Sequence, residues 1–446
     1  MKNLLLRAFC FALVGFVCLT TGLHAAPNVI VIYTDDQGTL DLNSYGSKDL
    51  VTPHMDALVA SGIRFTQFYA APVCTPSRVS LLTGMSPQRA GVEGNISAVS
   101  GQTAGLSTEL FTMVDLFKNA GYRAGHIGKW HLGFAEDKQP LAHGFDYSFG
   151  HLVGCIDNYS HFYYWRGPNR HDLQRNGEEV FHDGEFFPEL MLTEAKAFID
   201  ESAESPFFLF FALNTPHYPY QGYPRWLEYY NEKGVPYPRN LYAAFLSTQD
   251  EIIGRLIQHL DTNKLREDTI IIFQSDNGHS TEERAHFGGG NTGVYRGAKA
   301  GLFEGGIRVP AAISWPAVLP AGETRDQLSV NTDWLPTLAE LCELEMPTAE
   351  IEGKSLVPVI ADGAAADVHD GVYHWEFRDQ WAVREGDWKL LFNPVDKSEK
   401  APLGESDMFF LVDLANDPGE LTNLAVRYPE KVAQLRDSYR LWKAGL

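Results

Sequence analysis

The chain has 446 residues, 44% of them hydrophobic and 21% charged, with a formal net charge of −21. That balance excludes a nucleic-acid binder, which needs a basic footprint to meet phosphates, and it is the composition of a globular protein with no low-complexity tract. A small anionic substrate is still allowed, because a local cationic pocket overrides a distant acidic surface.

The chain opens MKNLLLRAFCFALVGFVCLTTGLHAAPN, with Lys2 and Arg7 as a basic start, Ala8 to Leu19 as an apolar stretch of signal-peptide length, and small residues at Ala25 and Ala26. Residues 1–25 are therefore expected to be a signal peptide, placing the protein in a periplasm or outside the cell. No later segment supplies the ~20 apolar residues of a membrane span, so no stable membrane anchor is expected. Without the leader's two positive charges the net charge is about −23. The remaining ~420 residues exceed one ordinary core, so we expect a large domain over 26–365 and a smaller one over 366–446.

"NVIVIYTDD" (28–36) reads as a buried strand ending in two carboxylates. "TPHMDALVASG" starts a helix near Pro53 and stops it at Gly62. "GIRFTQFYA" alternates as a strand does, and "PSRVSLLTG" predicts a helix from about Pro76. "TELFTMVDLFKNAG" predicts an amphipathic helix ended by Gly121, followed by the strand "YRAGHIG". Next come the helix "LTEAKAFIDESA", the strand "FFLFFAL", a long helix at about 241–261 and the strand "TIIIFQSDNG" (269–278). "VPAAISW" and "DWLPTLAELCEL" add a strand and a helix. This alternation predicts an α/β fold, with a large, mostly parallel or mixed central sheet flanked by helices. Ligands of such sheets gather at the carboxyl ends of the strands, where DDQG, KWH, TPH and DNG would converge. Beyond about residue 365, "GVYHWEFRDQWAVREGDWKLLF" and "MFFLVDL" predict a small antiparallel sheet, and a terminal helix follows at about 429–443.

Asp35–Asp36 and Asp276–Asn277 each stand just past an apolar strand. Either pair alone fits a turn or a helix cap. Two pairs at matching strand ends favour a hard cation such as Ca²⁺ or Mg²⁺, which takes oxygen donors. Cys10 and Cys18 belong to the leader, so Cys74, Cys155 and Cys342 remain. At most one disulfide can form among them, one thiol is left over, and Cys74 is the candidate. It sits in "VCTPSRVSLLTG" (73–84). Lys129 and His131 in "GKWHLG" would face one side of an extended stretch, past Trp130. His217 follows an apolar strand, and Lys299 lies in a Gly-rich loop. Taken singly, each of these four also fits a structural or solvated role.

The residue patterns then become recognisable. C-x-P-S-R followed by LLTG, GYRAGHIGKWHLG (121–133), TPH (215–217), SDNG (275–278) and KAGLFEGGIRVP (299–310) occur in one order. Together they resemble the formylglycine-dependent sulfatases of the alkaline phosphatase-like superfamily, over nearly all of the chain after the leader. The resemblance implies that Cys74 is oxidised to formylglycine by a formylglycine-generating enzyme that reads Pro76 and Arg78. The hydrated aldehyde offers two geminal hydroxyls: one attacks sulfur, and the other expels sulfate by re-forming the carbonyl. It also implies a calcium ion on Asp35, Asp36, Asp276, Asn277 and the modified Cys74. Arg78 would steady the modified side chain, Lys129 would contact sulfate, and His131 would be the base for sulfate release. His217 and Lys299 would reach the ester oxygen; a near-neutral histidine suits acid catalysis, which favours His217 with Lys299 assisting.

Substrate choice belongs to the loops. "CIDNYSHFYYWRGPNRHD" (155–172) and "HWEFRDQW" (374–381) combine aromatic and hydrogen-bonding side chains, which suit a sugar ring or, equally, cement two subdomains. With the expected export, they point to a sulfated sugar or oligosaccharide. The alternatives are a formylglycine-dependent phosphodiesterase or phosphonate hydrolase, and an inactive glycan-binding relative. NIS (95–97) and NYS (158–160) fit the glycosylation pattern of a eukaryotic secretory pathway.

Overall fold

The computed structural model describes residues 26–97, 103–163, 169–347 and 351–446. The expected signal peptide and part of the 155–172 segment lie outside them. In chain order come β1 (Asn28–Thr34), α1 (Pro53–Ala60), β2 (Ile63–Phe65), α2 (Cys74–Thr83), α3 (Met113–Asn119), β3 (Arg123–Lys129) and β4 (Tyr147–His151). Two short strands follow, β5 (Gln174–Arg175) and β6 (Glu178–Glu179), then α4 (Phe187–Asp200), β7 (Phe207–Ala212) and α5 (Arg239–Thr262). The first part closes with β8 (Thr269–Ser275), β9 (Ala311–Ser314), β10 (Glu323–Arg325) and α6 (Trp334–Leu341).

These strands form one 10-stranded mixed sheet in the order β10-β2-β9-β8-β1-β7-β3-β4-β5-β6. Its centre, β8-β1-β7-β3-β4, is parallel throughout. Apolar, β-branched runs can lie there because both faces are covered: Ile30 to Tyr33 and Phe208 to Ala212 have no solvent exposure. Helices α1 and α4 pack on α5, and α3 and α6 pack on α2.

The C-terminal part is a second, antiparallel sheet of four strands, β11 (Val372–Phe377), β12 (Gln380–Glu385), β13 (Trp388–Phe392) and β14 (Phe409–Asp413), with α7 (Pro429–Ala444) behind it. Trp381 stacks on Tyr439 of α7 at 4.2 Å, while Trp375 lies 5.4 Å from Tyr69 of the first part. Both tryptophans are buried. The aromatics of 374–381 therefore serve as cement between layers. A buried ion cluster adds to that seam, Lys389 pairing with Glu304 and Glu420 at 2.9 Å each.

Several boundaries differ from expectation. Helix α2 starts at Cys74, two residues before Pro76, because extended Val73 ends the preceding chain and proline is tolerated in the first turn. The stretch 63–71 breaks into β2 and a two-residue strand, Phe68–Tyr69. Helix α3 begins only at Met113, where Thr112 and Asp115 form a capping box. The extended geometry expected through Lys129 and His131 does not hold, since His131 takes a φ of 56°. Cys74, Cys155 and Cys342 are all free thiols. Asn158 is fully buried, bonded to Gln221, and is no glycan acceptor in the folded chain. Among the described residues no helix is long and apolar enough to cross a membrane.

Candidate active site

Four neighbouring parallel strands, β8, β1, β7 and β3, end on the same edge of the sheet, and each hands over to a polar segment. β1 leads into Asp35 and Asp36, β8 into Asp276 and Asn277, β7 into the turn that carries His217, and β3 ends on Lys129 itself. α2 presents Cys74 at its first position. Lys299 arrives from the loop before β9, tied by its backbone N–H to the carbonyl of His279 at 3.0 Å. All of these side chains are buried, and so are Arg78 and His131.

The contacts form one continuous network. The Cys74 thiol donates to Asp35 Oδ1 at 3.5 Å, and Lys129 Nζ meets Asp35 Oδ2 at 2.6 Å. Lys299 Nζ lies 2.6 Å from Asp36 Oδ1 and 2.9 Å from its Oδ2. His217 Nε2 lies 3.5 Å from Asp36 Oδ2. Arg78 donates to Asp276 Oδ2 at 3.2 Å and to the Lys129 carbonyl at 2.8 Å, with its guanidinium over the Tyr33 ring. Asp276 Oδ1 accepts from the Asp36 amide at 3.0 Å, and Asn277 Nδ2 donates to Asp36 Oδ1 at 2.7 Å. Every residue singled out in the sequence is therefore brought into this network except His131, which adjoins it through the backbone: its carbonyl accepts from Thr75 Oγ1 at 2.9 Å. Asp36 pays for its place with a φ of 60°, a left-handed conformation that Asp tolerates better than most residues.

Hydrogen bonds assign the two histidines. His131 Nε2 faces the Ile96 carbonyl at 3.1 Å and so carries the proton, leaving Nδ1 as a buried lone pair without a hydrogen-bond partner. His217 Nδ1 donates to the Tyr218 carbonyl at 2.7 Å, which leaves Nε2 as the lone pair facing Asp36. Burial, with Lys299 and Lys129 adding to it, pushes His217 well below the ordinary histidine range; burial, Lys129 and Arg78 do the same to His131. Lys299, although burial disfavours its charge, is held well above its usual value by Asp36. Asp276 is lowered because Arg78, Lys129 and Lys299 outweigh its burial. Burial pushes the Cys74 thiol far up, so as a thiol it is a poor nucleophile.

The donor atoms of Asp35, Asp36, Cys74 and His217 all lie within 4.8 Å of one another. A histidine lone pair against a carboxylate is unfavourable unless a proton or a cation stands between them. Asn277 Oδ1 is also buried without a hydrogen-bond partner. Carboxylate and amide oxygens suit a hard cation, so the residues fit an oxygen-seeking metal.

Some contributors were not picked out in the sequence. Asn95 Oδ1 accepts from the Thr75 amide at 3.0 Å, and the Ile96 amide donates to Thr75 Oγ1 at 3.3 Å, clamping the start of α2 against His131. Gln249 on α5 donates to Gln37 at 3.0 Å and accepts from Thr215 at 2.9 Å, bracing the ends of β1 and β7 from below. The only sequence signal for it is a polar residue on a helix face that is otherwise buried.

A carboxyl-edge site that gathers buried carboxylates, buried lysines and a helix-initial cysteine has the donors to hold a cation and the positive charge to meet an anionic substrate. The chain belongs to the sulfatase family: the family model described as Sulfatase matches residues 27–344. A second model, N-sulphoglucosamine sulphohydrolase, C-terminal, matches residues 290–441. The chain is 32% identical to arylsulfatase A of Bos taurus over 92% of its length and 85% of that protein. It is 29% identical to the N-acetylgalactosamine-6-O-sulfatase of Bacteroides thetaiotaomicron over 92% of each. Among solved structures it is similar to Ps i-CgsB, with a TM-score of 0.83 and 27% identity over 94% of this chain and 92% of that one. That protein has also been solved in complex with k-i-k-neocarrahexaose. The protein is a sulfatase, a sulfuric ester hydrolase with the alkaline phosphatase-like fold.

Proposed function

We propose that this sulfatase is exported and removes sulfate from a sulfated sugar or oligosaccharide, using formylglycine made from Cys74 and a bound calcium ion. The observation that carries the reading is the burial of Cys74 at the start of α2 against Asp35, where desolvation disfavours the thiolate of an unmodified cysteine. Formylglycine would supply a hydroxyl nucleophile there. Asp35, Asp36, Asp276, Asn277 and the residue at 74 would hold the cation, which would polarise sulfate oxygens.

The chain's own residues do the rest. Arg78 holds Asp276 and the end of β3 in place beneath the start of α2. Lys129 and Lys299 supply the positive charge that an incoming sulfate meets. His131 would take a proton during sulfate release, a role supported by the unpartnered lone pair of its Nδ1. Lys299 and His217 flank the leaving oxygen; Lys299 is the standing proton carrier, and the negative charge of a bound sulfate favours a proton on His217. The sugar reading is supported by the names of similar proteins, the N-acetylgalactosamine-6-O-sulfatase and the neocarrahexaose complex. Export is supported by the leader-like residues 1–25.

The test is anion release by protein co-expressed with a formylglycine-generating enzyme, on a panel of sulfated sugars with matched phosphate esters alongside. Sulfate is expected, and Cys74→Ala is expected to lose at least ~10³-fold in turnover. Full turnover by Cys74→Ala, or phosphate without sulfate, overturns the reading. Chelation of the protein is expected to abolish release, and added Ca²⁺ to restore it.

A further inference from the structure

We propose that Asp41 and Tyr242 are positioning residues for the cation: they fix the backbone of Asp36 so that its carboxylate points into the metal cluster, and cation affinity therefore depends on them. The proposal rests on the cation reading above and names the residues that stand behind its ligands.

Asp36 lies in the left-handed region at a φ of 60°. Backbone angles set the direction of a side chain, so a turn that relaxed out of this region would swing the carboxylate away from Lys299, Asn277 and His217. Hydrogen bonds hold the turn on both sides. Before it, Asp276 Oδ1 accepts from the Asp36 amide at 3.0 Å. After it, the Tyr242 hydroxyl lies 3.2 Å from the Asp36 carbonyl and 2.9 Å from Asp41 Oδ2, so one hydrogen serves two acceptors. The Gly38 amide donates to the same Asp41 oxygen at 3.2 Å, and the Asp41 amide closes the turn onto the Gly38 carbonyl at 2.9 Å.

Asp41 and Tyr242 have no solvent exposure. Neither belongs to the group of donor atoms around Asp35 and Asp36, so both act through the Asp36 backbone. Asp41 Oδ2 also accepts from the Asn291 amide at 2.8 Å, and its Oδ1 pairs with Arg239 at 2.5 Å. Arg239 and Tyr242 are three residues apart on α5, so one turn of helix brings both the counter-charge and the hydroxyl. The close approach explains the glycine of DDQG: a Cβ on Gly38 would stand 2.6 Å from Asp41 Oδ2 and 2.6 Å from the Asn291 carbonyl oxygen. Partners that orient a ligand in advance remove an ordering cost from metal binding, and their loss typically weakens affinity 10- to 100-fold.

The experiment uses the full chain with converted Cys74, stripped of metal, and measures Ca²⁺ binding by titration calorimetry beside thermal unfolding without metal. Asp41→Asn and Tyr242→Phe are each expected to weaken Ca²⁺ binding about 10- to 100-fold. Sulfate release by both is expected to recover with excess Ca²⁺, which a merely structural defect would not allow. Asp49→Asn is the control, because Asp49 pairs with the same Arg239 at 2.9 Å from the outside. It is expected to keep its Ca²⁺ affinity within about threefold of wild type. Tyr242→Phe keeps the ring and the Asp41 carboxylate, so it carries the test if Asp41→Asn does not fold. Unchanged affinity in Tyr242→Phe, or an equal loss in Asp49→Asn, overturns the proposal while the cation reading stands. Wild-type protein that binds no Ca²⁺ overturns the cation reading itself and this proposal with it.

Discussion

Removing the guanidinium of Arg78 strands a buried Asp276 carboxylate and frees the Lys129 carbonyl at the end of β3. A buried ion pair broken on one side typically costs 3–5 kcal/mol, so Arg78→Met is expected to lower unfolding stability by about that amount. Denaturant unfolding checks it, and a loss below about 1 kcal/mol would mean that the charge is not needed to hold the network. Arg78 was legible as a residue beside Cys74, but its work was not: it binds strands remote in sequence. The two histidines show the same divide. Their presence in KWH and TPH marked them, whereas their proton positions depend on the carbonyls of Ile96 and Tyr218.

At the scale of elements, the central strands meet so closely that one glycine decides the packing. Gly128 in β3 has a φ of 118°, and a Cβ there would stand 1.9 Å from the Ala212 carbonyl of β7. Gly128→Ala must part β3 from β7, the pair that carries Lys129 and leads to His217. It is expected to destabilise the protein by about 3 kcal/mol or more, and soluble yield and thermal unfolding report it. Strand and helix identities were readable because β-branched runs and helical spacing are local signals. Boundaries were less so: Cys74 opens α2 and Met113 opens α3 because of caps and of the chain's entry direction, which no periodicity records.

Across the whole molecule, the C-terminal sheet is fastened by buried charge as well as aromatic packing. Lys389 of β13 serves both Glu304 and Glu420. Lys389→Met would leave two buried carboxylates facing each other and is expected to cost about 3–5 kcal/mol in unfolding stability. A second tie is sensitive to pH. His369 Nε2 lies 2.9 and 3.0 Å from the oxygens of Asp333. Burial alone would lower its pKa, but Asp333, bonded to it, and Asp367 outweigh burial and raise it. A raised value means that the folded state binds this proton more tightly, so the tie is fully formed below about pH 6.5 and is lost as pH rises through the folded value. The stability gap between wild type and His369→Gln is therefore expected to narrow from pH 6 to pH 8. A constant gap in thermal unfolding would sink that assignment.

The order of strands and helices, the carboxyl-edge location of the polar motifs and the family of the chain were determined by the amino-acid sequence alone. Each rests on local spacing or on short motifs whose residues are adjacent. What only the tertiary structure decided is which atoms meet. Asp36 gathers Lys299, Asn277 and His217 from three separate segments, and Gln249 braces the site from a helix that no motif marks. Such contacts join residues tens to hundreds of positions apart. Their distances and proton affinities are set by burial in the assembled fold, which no short stretch of chain possesses by itself.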